Sequence, residues 1–239
     1  MHTFPALLLA LGIGLGTSFA GYFIGSRIGN GFTDARALER TVSVKGLSER
    51  DVPADVAIWP LQLSVADNDL TSLVATVEKQ KAMVIEFLNA RGFAEADITV
   101  GAPAITDKQA QSYGNDAIRF RYLAQQVITV YTKKIDAVRA ANRELLELGK
   151  AGVVFSQENY ELKTQYLFQG LNEIKPEMVE EATRNARVVA EKFAGDSDSR
   201  LGKIKSAAQG QFTVEDRDSN NPHIKRVRIV STLEYYLAD

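Results

Sequence analysis

The feature that most constrains this chain is an apolar run near its start, Phe4 to Ile28, reading FPALLLALGIGLGTSFAGYFIGSRI, in which Arg27 is the only charged side chain. Coiled as a helix at ~1.5 Å per residue, the run is about 35 Å long, enough to cross a hydrocarbon core of roughly 30 Å. So apolar a segment has no polar face to turn toward water, and the rest of the chain has to fold without it. A cleaved signal peptide is the competing reading, since Ser18-Phe19-Ala20 is a small-x-small triplet. Against cleavage, no Lys or Arg precedes the run, and it stays apolar through Gly21-Tyr22-Phe23-Ile24-Gly25. The expectation is an uncleaved single-pass anchor, one transmembrane helix over residues 4–28. Gly12 with Gly16 and Gly21 with Gly25 are small-xxx-small pairs that would admit a second helix closely, although glycine is common in membrane helices in any case. The basic residues Arg27, Arg36 and Arg40 all follow the run, so charge alone favours a cytoplasmic soluble region.

Residues 29–40, GNGFTDARALER, read as a juxtamembrane linker. Beyond them the composition is that of a globular protein: of 239 residues 45% are hydrophobic and 24% charged, enough to bury a substantial core. A formal net charge of −2 provides no basic field, so nucleic acid is not an expected partner. Cysteine is absent, which excludes disulfides, thiolate metal sites and cysteine nucleophiles, and the only histidines are His2 and His223.

Periodicity divides the soluble region into elements. Thr41–Gly46 and Val56–Val65 alternate as strands, with Pro60 calling for a bulge or an edge position. Asp67-Asn68-Asp69 caps a helix whose apolar positions run from Leu70 to Leu88 and which ends at Arg91-Gly92. Asp97–Ala104 and Arg119–Tyr131 read as strands, Ile135–Leu148 as a helix stopped by Gly149, and Val153–Phe168 as extended chain. Pro176 opens a helix with Met178, Ala182, Ala186, Val189 and Phe193 as its apolar stripe, and Gly202–Val214 and Lys225–Tyr236 are extended. The order ββαββαβαββ predicts an α+β fold, with amphipathic helices packed on antiparallel or mixed sheets.

Residues suited to catalysis are sparse. His223 follows Asn221-Pro222 in a turn and has no serine motif to activate, so a solvated turn histidine is expected. Asp216, Asp218 and Asn220 reproduce the first three ligand positions of a calcium loop, but Asn221 and Val227 hold the places of its glycine and its bidentate glutamate. A polar hairpin loop is expected there, and no metal or cofactor. Glu180, Glu181 and Glu191 lie on the wet side of a helix, and Tyr235-Tyr236 point to opposite faces of a strand. As candidate ligand-binding residues only Arg119 and Arg121 stand out, sharing one parity of a predicted strand with Phe120 and Tyr122 on the other.

Four stretches carry a resemblance: Thr41-Val42-Ser43-Val44-Lys45-Gly46-Leu47-Ser48-Glu49, Val52-Pro53-Ala54-Asp55-Val56-Ala57, Gly170-Leu171-Asn172-Glu173-Ile174-Lys175-Pro176-Glu177-Met178 and Ser199-Arg200-Leu201-Gly202-Lys203-Ile204. Together they resemble the SIMPL-domain family of bacterial cell-envelope proteins over residues 41–237. The resemblance implies an α+β domain exported to the periplasm, anchored in the inner membrane, tending to self-associate into a homo-oligomer, with a role in envelope integrity or oxidative-stress defence and no catalytic residues. It opposes the charge count on orientation. A ligand-binding module or weak hydrolase acting on an envelope component, with its small-molecule ligand unknown, is the other expectation.

Overall fold

The computed structural model describes residues 40–111, 119–156 and 162–238. The anchor over residues 4–28 and all of the linker except Arg40 lie outside them. Among the described residues no helix is long and apolar enough to cross a membrane.

The chain forms two units. Unit one takes residues up to Ser48, Pro176–Phe212 and Arg228 onward; unit two takes Glu49–Lys175 and Thr213–Val227. The centre of unit two is the antiparallel pair β2 (Val56–Asp67) and β5 (Tyr122–Thr132), in unbroken register from Ala57 opposite Thr132 to Asp67 opposite Tyr122. That register puts Trp59 beside Val130 and Leu61 beside Ile128, all buried on the face covered by helices α1 (Leu70–Ala90) and α3 (Ile135–Lys150). Val84, Phe87 and Leu88 of α1 and Val138 and Ala141 of α3 complete this core, each large side chain contributing about 1.5–3 kcal/mol by burial. Strands β3 (Ile98–Val100) and β4 (Ala104–Asp107) pair with β5, and β6 (Gln165–Leu167) pairs with β2. A short helix α2 (Lys108–Gln111) follows β4.

Local signals read correctly here. Asp69 caps α1, its carboxylate accepting from Ser72 N–H at 2.7 Å, while Asp67 accepts from Ser72 Oγ at 2.7 Å. Gly92, at φ +82°, ends the helix. Pro60 needs no bulge: the register runs through it unshifted, opposite Thr129. Even-numbered β2 residues turn their N–H away from β5, as Ser64 does in donating to Val154 O. On that side, among the described residues, β6 stops at Ile58 and the next bridge joins Leu63 to Phe155, so the missing donor faces a gap. Helix α3 runs on through Gly149 to Lys150, and Gly152 at φ +91° closes it.

Unit one packs helix α4 (Leu171–Asp196) from Pro176 onward on strands β1 (Thr41–Pro53), β9 (Ile224–Ala238) and β7 (Arg200–Gln209), in the order β1-β9-β7. Strand β8 (Thr213–Asp216) pairs with β9. The expected single extended segment from Gly202 to Val214 is therefore two strands, as is that from Asp97 to Ala104. Helix α4 begins five residues before Pro176, not at it. In the second turn the proline leaves Asn172 O without its helical donor. The helix buries Met178, Ala182, Ala186, Ala190 and Ala194, a row of strict four-residue spacing, while Val189 and Phe193 of the expected stripe are exposed. Gly46 explains the choice. A Cβ there would lie 1.9 Å from Ala182 O and 2.4 Å from Ala186 N, so the helix backbone rests directly on the strand. Such an approach admits only a small side chain where helix and strand touch, at Ala182 and Ala186.

Candidate functional site

The stretches that carried the family resemblance do structural work, residue by residue. Gly46 seats α4, and next to it Ser48 Oγ donates to Glu181 Oε2 at 2.8 Å. In unit two the Asp55 carboxylate, in the connection between β1 and β2, accepts the N–H groups of Gln169 and Gly170 at 2.8 and 2.9 Å, fixing the two residues that lead into α4. Ser199 Oγ accepts from Arg40 Nη2 at 3.1 Å, and a Cβ on Gly202 would meet Tyr236 O at 2.8 Å. Ser48, Asp55 and Ser199 are thus engaged with backbone or with other side chains.

A cleft of about 440 Å³ opens in unit two, lined by Pro53, Lys133, Lys134, Ile135, Asp136 and His223 among others. Its floor is the start of α3, where Lys134 provides no side-chain cap. Lys134 is held by its own bonds: its N–H donates to Thr132 Oγ1 at 3.3 Å and its Nζ to Gly92 O at 2.5 Å. His223 sits in the turn between β8 and β9, its carbonyl accepting Ala54 N–H at 2.8 Å and its ring edge-on to Tyr166 at 6.1 Å. His223 is a turn residue as the sequence implied, and partly buried. Burial lowers its pKa below the ordinary value near 6.5, the charge of Arg139 adds to the effect, and Asp136 opposes it. The imidazole is therefore neutral at neutral pH. Among the described residues, no serine, threonine or cysteine lines the cleft beside it.

Arg119 and Arg121 precede β5 rather than sharing a strand parity, and both are exposed. The Arg121 guanidinium pairs with Asp107, Nη2 to Oδ2 at 2.9 Å, which holds the Asp107 carboxyl below its ordinary pKa. It also lies 4.9 Å from the Tyr122 ring centroid, as Arg119 lies 5.6 Å from that of Phe120. Asn68 joins the two backbones, accepting from Arg121 N–H at 2.9 Å and donating to Arg119 O at 3.4 Å. Neither arginine lines the cleft. Of the residues that do, the sequence singled out His223, as a turn histidine, but not Lys133, Lys134 or Asp136. A basic pair immediately before a helix, Lys133-Lys134, was the local signal; its meeting with Pro53 and His223 is long-range.

The acidic loop is a hairpin between β8 and β9, as expected. Asp218 accepts from Asn220 and Asn221 N–H at 3.0 and 2.9 Å and from Asn221 Nδ2, while Lys225 Nζ pairs with Asp216. With its carboxylate bound to its own turn, Asp218 closes the hairpin. Tyr235 is buried in unit one and Tyr236 half-buried on the other face.

The family described as SIMPL, protein of unknown function (DUF541), matches residues 42–228. A comparison with curated proteins gave no match. The family match spans most of the chain and includes Gly46, Ser48, Asp55, Gly170, Ser199 and Gly202. The chain therefore belongs to the SIMPL family.

Proposed function

We propose that this chain is a non-enzymatic SIMPL-domain protein of the bacterial envelope, anchored in the inner membrane by residues 4–28, with its soluble region in the periplasm and assembled from several copies. Its role is in envelope integrity or oxidative-stress defence. The observation that carries the non-enzymatic reading is the use of the family signature for packing: Gly46, Ser48, Asp55, Gly170, Ser199 and Gly202 all meet neighbouring chain. What the signature maintains is a shape.

Self-association has its support in β7. This strand ends the order β1-β9-β7, and from Lys203 to Gln209 every residue is exposed. Its first half is protected as natural edges are, by Lys203, Lys205 and two register shifts, whereas Ser206-Ala207-Ala208-Gln209 is regular and uncharged. Gly210 N–H points to Val230 O, so Ala207 and Gln209 turn their N–H groups outward, available to another strand. Light scattering on the full chain in detergent should find an oligomer that Ala207→Pro dissociates; a monomer at every concentration would sink the assembly. For placement, a reporter fused after Asp239 should be active in its periplasmic form, and activity only in its cytoplasmic form would reverse the orientation.

The second reading, a ligand-binding module or weak hydrolase acting on an envelope component, has its support in the cleft beside His223 and not at Arg119 and Arg121. Titrating envelope extracts while following the His223 ring by NMR tests it. An unmoved resonance counts against it.

A further inference from the structure

Helix α4 presents one row of side chains along the edge strand β1. Glu181 accepts from Ser48 Oγ, and Asn185 Nδ2 donates to Leu47 O at 2.8 Å, so the row 181, 185, 189, 193 runs along the strand toward its first residue. The first half of the row is polar and bonded to β1. The second half is Val189 and Phe193, 37% and 55% exposed, with Val188 beside them at 46%.

This bare half lies where the chain enters the unit. Ser197 N–H bonds to Phe193 O at 3.2 Å and Ser199 N–H to Ala194 O at 2.9 Å; Ser199 Oγ accepts from Arg40, and Arg40 O accepts Leu237 N–H at 2.8 Å. Phe193 is thus linked through the turn at Ser197–Ser199 to Arg40, the last residue of the linker. Lys192 and Arg200 flank it, both exposed, while Asp196 and Asp198 keep the local net charge small.

We propose that this end of α4 rests on the bilayer, with Val189 and Phe193 dipping into the headgroup boundary while Lys192 reaches the phosphates. The proposal rests on the reading of residues 4–28 as a membrane anchor. At ~3.5 Å per residue the eleven residues 29–39 can reach at most about 40 Å, so this end of unit one stays within that distance of the membrane surface. Two apolar side chains are too few to keep a free domain on a bilayer. Tethered, the contact becomes intramolecular, with an effective concentration on the order of millimolar, and a weak contact is populated. A lipid surface fits better than a protein partner because the patch adjoins the tether and is flanked by the long cationic side chain of Lys192, which can snorkel. With the charges nearly balanced, apolar insertion dominates and binding changes little with salt.

Because the chain has no cysteine, an introduced one is labelled uniquely. The full chain is reconstituted in vesicles with a fluorophore at Val189→Cys or, as a control, at Val74→Cys on the exposed side of α1. Lipids brominated in the upper acyl chain should quench the label at 189 about twofold and leave that at 74 unchanged, and Phe193→Asp should abolish the difference. An unquenched label at 189 in a chain that resists alkaline extraction overturns the proposal and leaves the anchor standing. Shielding from aqueous iodide without quenching by brominated lipid also overturns it, because a protein surface then covers the row. A chain stripped off by alkali removes anchor and proposal together.

Discussion

The two units solve the same problem, a helix laid on a sheet, with opposite materials. Unit two buries Trp59, Leu63, Phe87, Leu88 and Ile128, and its elements stand apart by the width of those side chains. Unit one brings backbone onto backbone, with Ala182, Ala186, Ala190 and Ala194 against a strand whose glycine has no room for a methyl group. A core of large residues is weakened by subtraction, and a core of small ones by addition.

Each prediction tests that contrast, starting with the largest effect. Trp59→Ala should cost unit two about 4 kcal/mol in urea unfolding, through lost burial and the cavity left behind. Gly46→Ala should cost unit one about 3 kcal/mol, since the new Cβ meets helix backbone that cannot turn aside as a side chain could. Gly195→Ala in the same unit should have the opposite sign, stabilising α4 by up to about 1 kcal/mol, because nothing lies within 4 Å of a Cβ there. Equal costs at the two glycines would refute the backbone-contact account. Asp55→Ala, which leaves two N–H groups at the start of α4 unbonded, should cost about 1–2 kcal/mol, with Asp55→Asn recovering part of it.

The smallest effect is a pH dependence in two windows. In unit one Glu234 ties three strands together: it accepts from Thr41 of β1 at 2.9 Å and from Lys205 and Ser206 of β7 at 3.1 Å. The Thr41 bond, then those of Lys205 and Ser206, lower its pKa from the ordinary 4.5. Its stabilisation is therefore present above that value and lost as pH falls through the lower folded value. In unit two burial depresses His223, so the unfolded chain takes up a proton first as pH drops below about 6.5, and stability declines there as well. Glu234→Gln should flatten the lower window and His223→Gln the upper one, each leaving the other in place. Thermal melts across pH 3–8 would show this, and loss of the same window under both changes would deny the assignment.

What was readable in advance was local. The cap at Asp69, the stop at Gly92, the alternation of β2 and β5 and the hairpin closed by Asp218 each depend on a few consecutive residues whose preferences agree with the fold. Val189 and Phe193 were placed in the stripe of α4 because periodicity identifies an apolar arc but not the side of it that meets the sheet. That choice was made by Gly46, well over a hundred residues away in the chain. For Pro60 the sequence allowed a bulge or an edge position, and the choice between them is visible only once β6 is seen to stop short of it. Arg119 and Arg121 attracted attention through spacing, whereas Lys133 and His223 line one cleft through contacts between distant segments.

By itself, then, the sequence determined the class of fold, the ends of its better-capped helices and the family. All of these rest on short-range periodicity or on residue types in order along the chain. Tertiary structure alone decided which row of α4 is buried, where Pro60 is tolerated and which side chains share a cleft. Each of those depends on the distance between backbones remote in sequence, and that distance is set by whether a glycine and a row of alanines, or a tryptophan and leucines, come to lie between them.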